Sequence, residues 1–457
     1  MYKKLSFLTL LLLLFSNILV KADTPEKDQY NQRMQWFKDA KLGIFIHWGL
    51  YSKGIDSESW CMYHKKRSWE EYMTQQAKDF TAANYQPEEW AKLFKEVGAD
   101  YAVMTSKHHD GFALWDTKYS KINAKDFSAA KRDVYTPWVK AIRNAGLKVG
   151  VYYSLCDWSH PDYSPITFDR PEKKLRKLYP QQRAERYLTP WQRFTKFNFN
   201  EMHELFERYQ PDLVWFDGDW EHKADEWPSR VVKDSLLSWN PKVIVNSRLN
   251  WYGDYNTPEQ DPPVIAPDRP WELCLTMNES WGYRADDHDY KSAKYLIETF
   301  VRSVAKGGNL LLDIGPKSDG TIPKPQVELL KEIGQWYQTN GTAIRNTEAG
   351  IPYGHFDGET TLSKDHKTIN LFLMGGLKNF TTLRGVKGEI ESIKVLGSNS
   401  PVKYKVIDSA PWNDIPGIIQ IFFDDVKEDP YVTVVSVTFK TPISLYRGIG
   451  HAVEMND

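Results

Sequence analysis

Cysteine is scarce in this chain: three among 457 residues, Cys61, Cys156 and Cys274. An odd count leaves at least one unpaired within a monomer, and the wide spacing fits no zinc pattern. The fold therefore does not depend on a disulfide framework; one disulfide remains open, and the sequence does not choose its pair. A surplus of one charge is also missing. Lysine plus arginine number 59 and aspartate plus glutamate 60, a net of −1, so no broad field draws nucleic acid or an acidic membrane. After the first twenty residues no apolar run is long enough to cross a bilayer. What the chain has in excess is rings: 18 Trp, 25 Tyr and 21 Phe, 14% of all residues. Rings suit stacking on the apolar faces of sugars or bases, and without a basic surplus sugars are the better match.

The N-terminus reads as an export signal. Lys3 and Lys4 precede the apolar run from Leu5 to Val20, small residues follow around Ala22, and Asp23-Thr24-Pro25-Glu26-Lys27 turns abruptly polar. The expectation is a signal peptide over 1–22, cleaved near Ala22. It leaves an exported protein, periplasmic or secreted, with no membrane association in the mature form. Asn278, Asn340 and Asn379 open glycosylation triplets, which matter only in a source that glycosylates.

From about residue 40 to 340, short apolar runs alternate with helical patterns. The expected strands are 42–48, 101–107, 148–154, 212–217, 243–248, 273–277 and 309–314. Near-continuous apolar runs such as Leu213-Val214-Trp215-Phe216 suit parallel strands covered on both faces. Expected helices include 87–97, 134–145, 197–209, 291–304 and 325–339. This alternation predicts a TIM-like (β/α)-barrel over 23–340. An open doubly wound sheet is the rival, but no G-x-G-x-x-G turn follows the first strand. Seven strands rather than eight leave the closure of the barrel open. After Gly341 the pattern changes to short β-rich runs broken by Gly, Asn, Asp and Pro, which predicts an antiparallel β-sandwich over 341–457.

Chemistry in such a barrel collects at the C-terminal strand ends. Those ends carry His47, His108, His109, Tyr153, Asp217 and Arg248, then Asn278 and Asp313. Each alone has a structural explanation: a satisfied histidine, a turn aspartate, a surface arginine. A polar residue at almost every strand end is harder to explain that way. Adjacent strand residues point to opposite faces, so His108 and His109 are poorly placed to share one ion, and no His-x-His pair is present. Metal-free hydrolysis by paired carboxylates is the favoured chemistry, with no metal and no cofactor. Asp217 ends an apolar strand. Glu259 on the loop after the fifth strand, Glu272 just before the sixth, and Glu279 are the candidates for its partner.

Several segments together carry a resemblance. They are Gly43-Ile44-Phe45-Ile46-His47-Trp48-Gly49, Ser106-Lys107-His108-His109-Asp110-Gly111-Phe112 and Gly150-Val151-Tyr152-Tyr153-Ser154. They continue with Pro211 to Gly218, Asn246-Ser247-Arg248, Trp271-Glu272-Leu273-Cys274, Ser280-Trp281-Gly282-Tyr283 and Gly307 to Pro316. In this order, across roughly residues 30 to 340, the chain resembles the α-L-fucosidases, glycoside hydrolase family 29.

The resemblance implies a retaining exo-glycosidase that removes terminal α-L-fucose from oligosaccharides or glycoconjugates, with Asp217 as the nucleophile. It also implies that His47, His108, His109, Tyr153 and Arg248 line the sugar site, with Trp60 and Trp281 as further contacts. Fucose lacks a 6-hydroxyl, so its pocket combines hydroxyl partners with an apolar wall, for which Phe45, Trp215 and Trp281 are candidates. Geometry favours Glu259 over Glu272 as the general acid/base, because Glu272 falls at the non-catalytic end of its strand; Glu272 then counts among the substrate contacts. One departure stands out. Where the family commonly has Glu-Trp, this chain reads Ser57-Glu58-Ser59-Trp60, so Ser59 replaces a carboxylate unless Glu58 takes its place through a loop shift. That departure keeps a same-fold hydrolase of a related sugar as the alternative, beside a non-catalytic fucose-binding protein. Oligomeric state is not readable.

Overall fold

The computed structural model describes residues 25–56, 58–164, 168–180, 187–446 and 448; the expected signal segment lies outside them. The first part of the chain alternates strands and helices: α1 (Pro25–Ala40), β1 (Leu42–Ile46), α2 (Pro87–Val97), β2 (Tyr101–Lys107), α3 (Tyr135–Asn144), β3 (Lys148–Ser154), α4 (Pro190–Tyr209) and β4 (Leu213–Asp217). It continues with α5 (Ser229–Trp239), β5 (Ile244–Val245), β6 (Glu272–Thr276), α6 (Ala293–Ala305), β7 (Asn309–Ile314) and α7 (Lys324–Asn340). The seven strands form one parallel sheet in the order β5-β4-β3-β2-β1-β7-β6. Helix α4 begins a full two turns before the apolar pattern does. Thr189 caps it by accepting from the Gln192 N–H while Gln192 bonds back, and Pro190 occupies the first turn.

Side chains alternate across this sheet, one set inward and one toward the helices. Phe45, Val103, Tyr152, Leu213, Trp215, Cys274 and Leu311 fill the interior, and Met34, Phe37 and Ala40 of α1 plug its N-terminal end. Val151, Tyr153, Val214 and Phe216 face outward into the helix layer.

The expected fifth strand shrinks to two residues. The Asn246 amide takes over its pairing, accepting from the Phe216 N–H at 2.9 Å and donating to the Phe216 carbonyl at 2.9 Å. Residues 254–260 then span the gap to β6. Parallel bridges join Asn246 to Tyr255, Asn256 to Trp271 and Glu259 to Cys274. Asp254 anchors this seam: its carboxylate accepts from Lys233 at 2.5 Å, Arg33 at 2.6 Å and the Val245 N–H at 2.9 Å.

Past Asn340 the chain builds antiparallel sheets. One has five strands, including β8 (Thr347–Ala349), β9 (Glu359–Ser363), β10 (Thr368–Leu373), β13 (Ile390–Val395) and β16 (Thr433–Phe439); a second joins β11 (Phe380–Arg384), β14 (Lys403–Ile407) and β15 (Ile418–Phe422). β12 (Val386–Lys387) pairs with β17 (Ser444–Leu445). Ile369, Leu371, Leu383, Ile419, Ile421, Val435 and Val437 make the core between the sheets. Phe372, Val432 and Val434 belong instead to the barrel's outer core, and Trp336 of α7 donates to the Val432 carbonyl at 2.9 Å. The central strands β10 and β16 of the larger sheet are thus buried on both faces. All three cysteines are buried and unpaired. Asn278 and Asn340 are buried, which leaves Asn379 as the exposed glycosylation triplet.

Candidate active site

At the C-terminal rim of the barrel a cavity of about 230 Å³ opens beside Asp217. Asp217 ends β4 facing inward, and Gly218 follows at φ +86, a left-handed turn in which any Cβ would meet the Cys156 sulfur at 2.5 Å. The Asp217 carboxylate accepts from Arg248 Nη1 at 3.0 Å and from the Tyr152 hydroxyl at 2.8 Å. These two donors fix the carboxylate in place at the cavity wall, as an attacking oxygen requires. Arg248 lies over the Trp215 ring at 4.5 Å. Its second nitrogen, Nη2, donates to Glu259 at 2.6 Å. One guanidinium therefore holds both carboxylates on the cavity wall.

Two of the three candidate histidines, His47 and His108, line the same cavity, and His109 is buried beside them without being part of its lining. His47 Nδ1 bonds Asp313 at 2.7 Å, His108 Nδ1 bonds the Ser59 hydroxyl at 2.6 Å, and His109 Nδ1 bonds the Ser154 hydroxyl at 2.6 Å. His109 Nε2 reaches to 3.6 Å from Asp217 Oδ2. Burial pushes His47 and His108 well below the ordinary imidazole range and His109 down to about 3, so all three rings are neutral. Burial, followed by the charge on Glu58, raises Asp313 well above the usual carboxylate range. Phe45, Trp215 and Trp281 form an apolar wall, and Trp60 and Trp220 stand at the rim with their rings 14° from parallel.

Two candidate residues are not where the sequence put them. Tyr153 does not line the cavity: it faces the helix layer, where its hydroxyl meets Lys107, Asn198 and Glu201. Its neighbour Tyr152, in register with Trp215, points inward instead. Glu272 is not a substrate contact either. It opens β6 at the N-terminal end, fully buried, accepting from Trp215 Nε1 at 3.1 Å and from the Tyr101 hydroxyl. Burial raises its carboxyl to about 7. Glu279 is turned to solvent. Glu259 is no free loop residue, because the Gln260 N–H donates to the Cys274 carbonyl at 2.9 Å and fixes it beside β6.

Glu58 lines the cavity while Ser59 turns away to His108. Its carboxylate accepts from the Gly282 N–H at 2.7 Å, and burial raises its pKa. Tyr152 and Trp220 are site residues that sequence reasoning did not assign, and Glu58 enters it only as a substitute for the carboxylate missing at Ser59. Period-two alternation along β3, in register with Trp215 and Asp217, would have found Tyr152; nothing local marks Trp220. Among the described residues no cluster of three His, Cys, Asp or Glu side chains could hold a metal ion.

The sequence profile described as Alpha-L-fucosidase matches residues 16–342, well over half of the chain. The chain belongs to the α-L-fucosidase family. The tissue α-L-fucosidase of Mus musculus is 34% identical over 351 residues, 70% of this chain and 74% of that protein. Among solved structures, the family's barrel and sandwich recur in α-L-fucosidase isoenzyme 1 from Paenibacillus thiaminolyticus, with TM-score 0.79 and 30% identity over 90% of this chain and 100% of that one. An α-L-fucosidase of glycoside hydrolase family 29 from Bacteroides thetaiotaomicron matches with TM-score 0.76 and 25% identity, covering 91% of this chain and 95% of the other. The chain is thus a glycoside hydrolase of this family, and the cavity just described is the candidate active site of a fucosidase.

Proposed function

We propose that the protein removes terminal α-L-fucose from oligosaccharides or glycoconjugates with retention, through a fucosyl–Asp217 intermediate. The observation that carries this reading is the pair of carboxylates, Asp217 and Glu259, held on adjacent nitrogens of Arg248 at the wall of a cavity sized for one sugar unit. Retaining glycosidases need two carboxyl groups only about 5–5.5 Å apart, one to attack and one to protonate the leaving oxygen. Asp217 is the attacking group, since it ends β4 on the cavity wall with Arg248 and Tyr152 holding its carboxylate in place. Glu259 is the acid/base; its side chain is 42% exposed, so it can meet both a glycosidic oxygen and the water that follows. The neutral histidines and Glu58 serve the hydroxyls, and Phe45, Trp215 and Trp281 serve the methyl group. Glu58 supplies a carboxylate beside Ser59, which favours fucose over a related sugar.

The deciding experiment compares leaving groups. Glu259→Ala should lose about a hundredfold or more on fucosylated glycans, far less on a dinitrophenyl fucoside, and should regain turnover with azide. If Glu272→Ala shows that pattern and Glu259→Ala does not, the assignment is wrong. Hydrolysis of an aryl α-galactoside but not of the α-L-fucoside would sink the substrate reading.

The mature protein is proposed to be exported, with cleavage near Ala22. The lysine-led apolar run and the abrupt polar start at Asp23 support this. N-terminal sequencing of the protein recovered outside the cytoplasm should begin near Asp23.

A further inference from the structure

His108 on the cavity wall and its neighbour His109, whose Nε2 lies 3.6 Å from Asp217, are held by two serines whose hydrogen bonds run in opposite directions. Ser59 is fully buried, and its hydroxyl oxygen already accepts from the Asp110 N–H at 3.1 Å. Its single proton has one acceptor in reach, His108 Nδ1 at 2.6 Å. Leaving a buried hydroxyl proton without a partner costs about 1–3 kcal/mol, so the proton goes to the ring. His108 Nδ1 is then the lone-pair nitrogen and Nε2 carries hydrogen. Ser154 is also fully buried, but its proton is committed elsewhere: it donates to the Cys156 carbonyl at 2.7 Å. The contact of 2.6 Å with His109 therefore runs the other way, from Nδ1–H to the serine oxygen, and His109 Nε2 is the lone pair.

We propose that Ser59 and Ser154 are positioning residues that fix opposite tautomers on His108 and His109, so that the first donates to one sugar hydroxyl and the second accepts from another. This rests on the glycosidase reading above for its ligand but not for its geometry. The His109 lone pair lies 3.6 Å from Asp217 Oδ2, which is also an acceptor. Two acceptors at that distance repel unless a donor comes between them, and a sugar hydroxyl beside the reacting carbon supplies one. Were Ser154 unable to accept, His109 could take the other tautomer, donate directly to Asp217 and compete with the substrate for it. The low basicity of the buried His109 ring keeps it from escaping the choice by protonation. At position 59, an acceptor-only carboxylate would hold a proton on His108 Nδ1 and turn Nε2 into a lone pair. The serine here thus gives His108 a donor's polarity.

The test reads the protons directly. Long-range ¹H–¹⁵N spectra of the full chain, labelled at its 11 histidines, separate protonated from bare ring nitrogens; His108→Asn and His109→Asn assign the two rings. Wild type should show His108 protonated at Nε2 and His109 at Nδ1. Ser59→Asp should flip His108, Ser59→Thr should keep it, and Ser154→Ala should release His109 toward Nε2–H. With the flip, kcat/KM on the fucoside should fall about tenfold to a hundredfold, and Ser59→Thr should recover most of it. Should Ser59→Asp not fold, the wild-type spectrum and Ser154→Ala still decide. The same tautomer on both rings, or Nδ1–H on His108, overturns the proposal. Because the spectra need no turnover, failure to cleave fucosides would count against the proposed reaction and leave this assignment standing.

Discussion

Two buried polar clusters flank β3, one on each face, and they differ in how completely they are satisfied. The outer cluster centres on Lys107, whose ammonium meets Glu201 at 2.7 Å, the Tyr153 hydroxyl at 3.0 Å and Asp157 at 3.5 Å. Lys107, Glu201 and Asp157 have no exposed side-chain surface, and the Phe197 ring covers the ammonium at 4.9 Å. Nothing in it is left for a ligand. The inner cluster, around Asp217, is satisfied on the protein side only: each histidine bonds the fold through Nδ1, His47 and His108 line the cavity, and His109 Nε2 stops 3.6 Å short of Asp217. Both clusters contain carboxylates and cations within one strand's thickness of each other. A saturated network holds the fold, and an incompletely paired one awaits a substrate.

The comparison breaks most visibly at Asp217. Asp217→Gly should keep its fold by circular dichroism and lose at least about a thousandfold in turnover, because the proposed attacking carboxylate is removed. Near-normal turnover would put the nucleophile elsewhere. Lys107→Met should instead strike stability, costing about 3–5 kcal/mol in urea unfolding by stranding Glu201 and Asp157 without their cation. The adjacent tyrosines sharpen the contrast. Tyr153→Phe should cost about 1–2 kcal/mol of stability with kinetics changed only a few-fold. Tyr152→Phe should leave stability nearly unchanged and lower kcat about tenfold. Reversed outcomes for the two would mean that the inner and outer faces have been misassigned.

The smallest effect concerns Glu272, which is inward like the site yet saturated like the outer cluster. Its carboxyl is raised from 4.5 to about 7 by burial. Between those values the unfolded chain gives up the proton and the folded one keeps it, so folding stability falls as pH rises through that window. Glu272→Gln removes this titration. Its unfolding free energy should drop less between pH 5 and pH 8 than that of wild type, by roughly 1–3 kcal/mol in urea titrations. Parallel pH curves for the two proteins would show that Glu272 ionises normally.

Much of this was legible in the sequence because strand ends in a parallel barrel must carry its chemistry. Asp217, Arg248, His47 and His108 could be placed from apolar runs alone, and so could most strands. Tyr153 was misplaced because its position near the strand end points to the site, whereas the strand's alternation pairs Tyr152 with the inward Trp215 and Tyr153 with the outward Phe216. The bulge between Thr105 and Lys107 lies on β2 and turns Lys107 outward to meet Tyr153. Glu58 lies in irregular backbone just before the short helix Trp60–Tyr63, where no periodicity says which of two neighbours turns inward. The barrel's closing segment was invisible for a similar reason. Tyr255-Asn256-Thr257-Pro258-Glu259 has no apolar run, and Pro258 has no N–H to give a ladder.

That closing segment has a consequence for durability. Where β1, β2, β3 and β4 are laced by strand ladders, the seam from Asp254 to Gln260 is held by isolated bridges, the few backbone hydrogen bonds that accompany them and one anchoring carboxylate. Local opening is cheapest where backbone bonds are fewest. The residue proposed to protonate the leaving group rides on this bridged segment, while Asp217 sits on a strand paired on both sides. Warming should therefore loosen the acid before it loosens the nucleophile. A tired enzyme would still cleave activated aryl fucosides when natural glycans had already become inert to it.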